Sequence, residues 1–501
     1  MRTAVTLAVM MITMMAFPTG ARAQSVTKVS TWTALRTAAE TAAATATTAT
    51  PVSIELELEQ DIARDYNYPI VVSSSVTMTL DLHGHKINGV GDTYPNYNIF
   101  DVFSGGNLTI TDLSDAKDGK IYGARNDIIS ITNSGIVTLA AGTLGKSRAG
   151  VSVNSSSSFT MTGGTINTVG GTGVFLSGSS FTMTGGTITG NNYGVQIANP
   201  SSCTMTVSGP TKVTISGNTT ADVFMEASVK PIVIGGDLHP DTRIGVSTNM
   251  SIGGANGLAF TSGLGTHGSA SNFFRRNDDL GIVAEGSELY FGQLMATNDA
   301  GGTLGKWCSY YNSGPRHMRA CSGVTAYKAK VNAAKTGVEL TELFTDGGVI
   351  DNGQGVLLKS DGEIVLMATY ADPDGDYTGN ELTGANSDAD QGSNDGKCYV
   401  LSKQGDKFGF FLLQSGVQTK AHKAYLIVEP SSSGARGFLG FGDDDTTGIV
   451  DIEHGTLNIE HETLNIEHLA GAWYSLDGRR LIGKPSAKGV YIHNGRKEVV
   501  R

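Results

Sequence analysis

The chain has 501 residues, 66 of them glycine and only 12 proline, so glycine runs at roughly twice its usual share. Scarce proline and the lack of a Gly-X-Y period exclude a collagen helix, while 39% hydrophobic and 17% charged residues exclude an intrinsically disordered chain. Against 47 acidic side chains stand 36 basic ones, a formal charge of -11 that excludes recognition of nucleic acid or an anionic membrane through a general basic field.

Residues 1–23 read as a secretory signal. Arg2 supplies the positive start, Ala4 to Phe17 the apolar run, and Ala21-Arg22-Ala23 a cleavage site before Gln24. No run approaches the roughly 20 apolar residues of a bilayer crossing, so no transmembrane span is expected. Between Thr31 and Thr45, Trp32, Leu35, Ala39 and Ala42 recur at helical spacing, and a strand follows through Ile54, Leu56 and Leu58. A helix here would cap an open sheet end; the alternative is an Ala/Thr linker, since threonine is a poor helix former.

A repeat then governs the sequence. Phe159-Thr160-Met161-Thr162-Gly163-Gly164-Thr165-Ile166 recurs 22 residues on as Phe181 to Ile188. Looser copies begin at Val76, Leu108, Val137 and Cys203. In all six copies the first and third positions are apolar and the second is threonine, at 77, 109, 138, 160, 182 and 204. Alternation of this kind fixes one buried and one exposed strand face. Two further short strands fit into each unit, one ending at Ile87, Ile121, Leu144, Ile166, Ile188 and Val213, the other carrying Ile99, Ile128, Val151, Val174, Val195 and Val223. Three strands per coil of about 22 residues predict an all-β fold built on a parallel β-helix. Gly163-Gly164, Gly185-Gly186, Gly173 and Gly194 are expected at its corners, often with positive φ. Asp222 to Met225, Ile232 to Ile234 and Ile244 to Val246 continue the winding.

Leu80-Asp81-Leu82-His83-Gly84-His85, and Asp222-Val223-Phe224-Met225 through Arg243-Ile244-Gly245-Val246, resemble bacterial adhesin-like, pectin-lyase-like proteins with a right-handed parallel β-helix. The resemblance covers about residues 50 to 291, with Phe260-Thr261-Ser262-Gly263 and Phe273-Phe274 to Asp278-Asp279 matching closing turns. It implies a fold more than a function. Many such proteins cleave polysaccharides with carboxylates, calcium or a basic residue on one outward face. Here Ile128 to Ala221 contains no Asp or Glu, and histidine is absent from Lys86 through Leu238. Neither paired carboxylates nor a Ser-His-Asp triad can operate inside that span, so no catalytic residue is assigned.

Asp81, His83 and His85 would share one face of a straight strand as metal ligands, but Gly84 favours a corner, and no metal or other cofactor is expected. Asp101, Asp112, Asp115, Asp118 and Asp127 form a second acidic area, with Asp112 to Asp118 read as a solvated loop.

The regular repeat stops near Gln293. Residues 292–447 read as an all-β, sandwich-like domain after a β-helix with its cap over 24–291. Asp372-Pro373-Asp374-Gly375-Asp376 invites calcium but fails the EF-hand template at Tyr377 and Thr383, so a solvated acidic loop is expected. Cys203 is expected as a free buried thiol, Cys308 and Cys321 as able to pair, and Cys398 as left over. Residues 448–470 repeat Ile-Glu-His every seven positions, at His454, His461 and His468, and read as a low-complexity spacer.

The tail, 471–501, carries Trp473-Tyr474-Ser475-Leu476-Asp477-Gly478-Arg479-Arg480, Lys488 to Ile492 and Arg496 to Arg501. It resembles the C-terminal sorting domain of type IX secretion, a small β-sandwich. That resemblance implies type IX export machinery as a partner and a secreted or outer-surface location in a Gram-negative bacterium; an ordinary terminal hairpin is the alternative. Together these features lead to the expectation of a non-catalytic, adhesin-like or glycan-binding surface protein whose partners are glycans or a host or extracellular-matrix surface. The competing expectation is a polysaccharide lyase or glycoside hydrolase acting from a coil-end loop. The binding residues are unassigned by sequence.

Overall fold

The computed structural model describes residues 26–441, apart from 66–67, 90–97, 169, 199–201, 227–228, 230, 252–255, 277–279, 301–303 and 432–433, together with four short strands near the C-terminus. The expected signal segment, the Asp278-Asp279 turn and the Ile-Glu-His spacer lie outside the described residues.

The first half is a parallel β-solenoid of about nine turns. Its first face is a ten-stranded parallel sheet running from Thr27–Val29 to Thr261–Ser262. The other two faces form one 16-stranded sheet, because a single long strand, Arg243–Thr248, pairs with both Val213–Ile215 and Ala221–Met225. All twelve apolar positions assigned inward on the first face are buried, from Val76 at 1% exposure to Met205 at 2%. Each such side chain contributes about 2 kcal/mol by leaving water, and Phe159 stacks on Phe181 with ring centroids 5.2 Å apart.

The stacking departs from the alignment of the sequence copies at both ends of the run. Leu108, Val137, Phe159 and Phe181 stack as the repeat predicts. Phe181, however, meets Met205 rather than Cys203, and Leu108 meets Met78 rather than Val76. Val213 likewise pairs with Gly186, leaving Ile215 on Ile188. Each slip is two residues, which keeps the inside in and the outside out. The corner between Ile197 and Thr204 is longer than the one between Ser177 and Ser180 and absorbs the extra residues. On the third face Phe100 and Ile129, not Ile99 and Ile128, align with Val151. Ile99, just before its strand, and Ile128, within the strand Asp127–Thr132, are also fully buried.

Glycine acts here in two ways. Gly164 and Gly186 adopt the expected left-handed corner, with φ of 73° and 93°. Gly173 and Gly194 do not: they lie within strands where a Cβ would come within 2.5 Å of the next coil's backbone, at Gly194 O and Asp222 O. Close approach, and not turn geometry, excludes a side chain there.

Both solenoid ends are covered. Helix α1, Trp32–Thr45, begins at Thr31, whose hydroxyl accepts from Ala34 N at 3.0 Å, and buries Trp32, Leu35, Ala39 and Ala42 against the first coil. At the far end the parallel winding stops at Arg275, and an antiparallel hairpin of Leu280–Glu285 and Glu288–Leu294 follows. Its Leu280, Leu289 and Phe291 extend the solenoid core, with Phe291 4.7 Å from Phe260 between ring centroids.

The same hairpin pairs through Gln293 and Leu294 with Leu366 and Val365, joining a five-stranded antiparallel sheet. That sheet packs on a ten-stranded, almost wholly antiparallel sheet through Met318, Ala320, Leu366, Cys308, Tyr310 and Leu358. On the larger sheet's other surface, Trp307, Tyr327, Phe408, Phe410 and Phe441 form a second core. All four cysteines are free. Cys203 is buried as expected, and Cys308 and Cys321, read as able to pair, are not joined. Cys308 faces the core between the sheets, where burial pushes its thiol up to about 12, and Cys321 Sγ accepts from Val365 N at 3.4 Å.

Residues 450–501 form a separate unit. Its described strands, Trp473–Tyr474, Arg480–Leu481, Gly489–His493 and Arg496–Val500, make one four-stranded antiparallel sheet. Asp477, Gly478, Arg479 and Lys488 of the sorting-domain resemblance lie outside the described residues.

Candidate functional site

The third face of the solenoid carries the richest outward chemistry. One residue per coil aligns in strict register: Asp101, Ser130, Ser152, Phe175, Gln196, Phe224 and Ser247. Strand spacing sets these about 4.8 Å apart. Thr172 and Tyr193 form a second file alongside. Phe175, Tyr193, Gln196 and Phe224 are half-buried. The Tyr193 and Phe224 rings lie 5.2 Å apart and tilted, and Thr172 Oγ1 donates to Gln196 Oε1 at 3.5 Å. Parallel strands present these rings because alternate residues must point outward, and each coil adds one more.

Carboxylates gather at the N-terminal end of this face. Asn98 bridges them: its Nδ2 donates to Asp101 Oδ1 at 2.7 Å, and its Oδ1 accepts from Asp127 N at 3.2 Å. Arg148 reaches Asp127 Oδ1 at 2.8 Å. Burial pushes the Asp101 carboxyl above its ordinary 3.8, with Asn98 and Arg64 pulling it partly back. Asp127 is likewise raised by burial, against the opposing pull of the Ser152 hydroxyl and Arg148, and the nearby Asp101 charge adds to the rise. The acidic area read from sequence therefore divides. Asp101 and Asp127 share the third face, while Asp112 is a turn carboxylate whose Oδ1 accepts from Gly84 N and Oδ2 from Gly119 N.

His83 and Gly84 do form a corner, with φ of 48° and 82°. Asp81 and His83 come together, but His85 turns toward Asp61, at 3.6 Å, and Glu57 takes the third place. Sequence spacing cannot find Glu57, which stacks on Asp81 from the preceding coil. In the second region Asp374 Oδ2 accepts from Val349 N, and Lys328 Nζ donates to the carbonyls of Asp376 and Thr378 at 2.6 and 2.9 Å. An ammonium thus ties the loop that invited a calcium reading.

Inside the solenoid runs a polar chain the repeat did not reveal. The Thr168 hydroxyl donates to Asn191, Asn191 Nδ2 to Asn218 and Asn218 Nδ2 to Asp222, each within 2.8 Å. Arg276 Nε lies 3.2 Å from Asp222 Oδ2 and closes the chain. All but Arg276 are at most 1% exposed, so the chain is structural. Its signal was available in Gly190-Asn191 and Gly217-Asn218, which sit between the second-face and third-face strands of successive coils.

A scan against protein-family models gives no match, and no curated protein and no solved structure matches the chain.

Proposed function

We propose that this is an exported, non-catalytic, adhesin-like protein that binds extended glycans on the third face of its solenoid. The carrying observation is the file of half-buried Phe175, Gln196 and Phe224 with Tyr193 beside it, one outward residue per coil. Aromatic faces take the apolar faces of sugar rings, and amide and hydroxyl groups take their hydroxyls. The coil spacing is close to the length of one pyranose unit, so a glycan along the solenoid axis meets one side chain per sugar. Support for export lies in the sequence at both ends: the signal-like residues 1–23 and the tail resembling a type IX sorting domain, which point to the outer surface of a Gram-negative bacterium.

A second reading, polysaccharide lyase or glycoside hydrolase, draws on Asp101 and Asp127, two neighbouring carboxyls both raised by burial, the second of them paired with Arg148. One experiment separates the two: the full chain is incubated with neutral and acidic polysaccharides and scored for retention and for released oligosaccharides. Retention without release is the expected result. Release of oligosaccharides transfers the function to the second reading, and neither retention nor release removes both.

A further inference from the structure

We infer that Glu57, Asp81 and His83 form a divalent-cation site of the zinc type at the edge of the first two coils. One ligand atom from each, a carboxylate oxygen of Glu57 and Asp81 and a ring nitrogen of His83, lies within 4.8 Å of the others. The Asp81 side chain carries the argument. The residue is 8% exposed, and its Oδ1 already accepts two backbone N–H groups, from His83 and Leu113, each at 2.9 Å. Its Oδ2 receives no hydrogen bond among the described residues and faces His83 Nδ1 at 3.5 Å. That separation is long for a hydrogen bond to a charged oxygen. It suits two ligands of one ion: metal bonds of about 2.0–2.2 Å at a tetrahedral angle place neighbouring ligand atoms about 3.4 Å apart.

The donor set chooses the ion. An imidazole with two carboxylates matches zinc and its neighbours, whereas calcium and magnesium take oxygen ligands. Three protein ligands leave a position for water. Glu57 sits on the coil before Asp81 and directly beside it in the sheet, so a bound ion would tie the first coil to the second. Lys28 Nζ occupies part of this space, 3.1 Å from Glu57 Oε1, but its side chain is 59% exposed and such a surface pair is readily displaced.

The test is zinc binding by the full chain, measured by competition with a chromophoric chelator and by the zinc-dependent shift in melting temperature. His83→Asn suits the left-handed backbone at this position, and Glu57→Gln keeps the shape of the side chain. Each variant is expected to melt like the parent without zinc and to bind one equivalent fewer. Lys28→Met is expected to bind that equivalent several-fold more tightly. Counting equivalents against the parent cancels zinc held by other histidines. The site is refuted if the parent binds no zinc, or if both His83→Asn and Glu57→Gln bind as many equivalents as the parent.

Discussion

Thr182 and Met183 are adjacent in the chain and face opposite media: Met183 is fully buried among Met161 and Val207, while Thr182 stands in the outward threonine file between Thr160 and Thr206. Met183→Asp forces an unpaired charge into a stack that has no water to offer it, at a cost of more than about 4 kcal/mol, whereas Thr182→Asp changes stability by less than about 1 kcal/mol. Thermal unfolding followed by circular dichroism reads the difference; equal melting temperatures would mean the faces are misassigned. Asp112 tests a different balance. Burial opposes its ionisation, yet the Ser114 hydroxyl and the N–H groups of Gly119, Gly84 and Ser114 outweigh it and hold the carboxyl below 3.8. A group lowered on folding stabilises above its unfolded value, and that stability disappears as pH falls through the folded value. Asp112→Asn should therefore cost about 2 kcal/mol at neutral pH and reduce the loss of stability on acidification, seen as convergence of the two melting curves as pH falls below 3.8.

At the scale of elements, the closing hairpin does two jobs with one set of strands. Leu289 and Phe291 finish the solenoid core, and Gln293 and Leu294 begin the next sheet. Phe291→Ala should cost about 3–5 kcal/mol, and the loss should appear first as faster amide exchange in the last coils, around Phe260, against which its ring packs, and Phe273, which packs on Phe260 in turn. Loss confined to the hairpin itself would mean that the solenoid end stands without it. Legibility also divides by element. The first-face strands were readable because alternation of apolar residues with threonine states the buried face directly. The exact stacking was not, because a two-residue slip leaves that alternation unchanged and only the corner lengths decide it. The α1 cap was readable from Trp32, Leu35, Ala39 and Ala42. The Glu57–Asp81 contact was not, since its members lie on different coils and no local spacing joins them, and of the Asn191–Asn218–Asp222 chain only the recurring Gly-Asn pairs show in the sequence.

For the whole molecule, the first and third faces are chemically distinct although one repeat builds them both. The first presents a file of six threonines, Thr79, Thr109, Thr138, Thr160, Thr182 and Thr206, with no ring among them. The third alternates rings with hydroxyl and amide groups and ends in Asp101 and Asp127. Because folding raises both carboxyls, the native state holds their protons more tightly than the unfolded chain does. The pair therefore costs stability as pH rises from about 3.8 through the folded values, and Asp127→Asn should remove part of that cost above them. Binding supplies the sharper test of which face is used. Tyr193→Ala with Phe224→Ala removes two half-exposed rings outside the core, so the double variant should stay folded while losing at least tenfold in glycan retention, since each stacking contact contributes on the order of 1 kcal/mol. Thr160→Glu with Thr182→Glu, on the first face, should leave retention unchanged. Retention measured by affinity electrophoresis in gels containing the polysaccharide separates the outcomes: a loss caused by the threonine pair and not by the aromatic pair would move the binding surface to the first face.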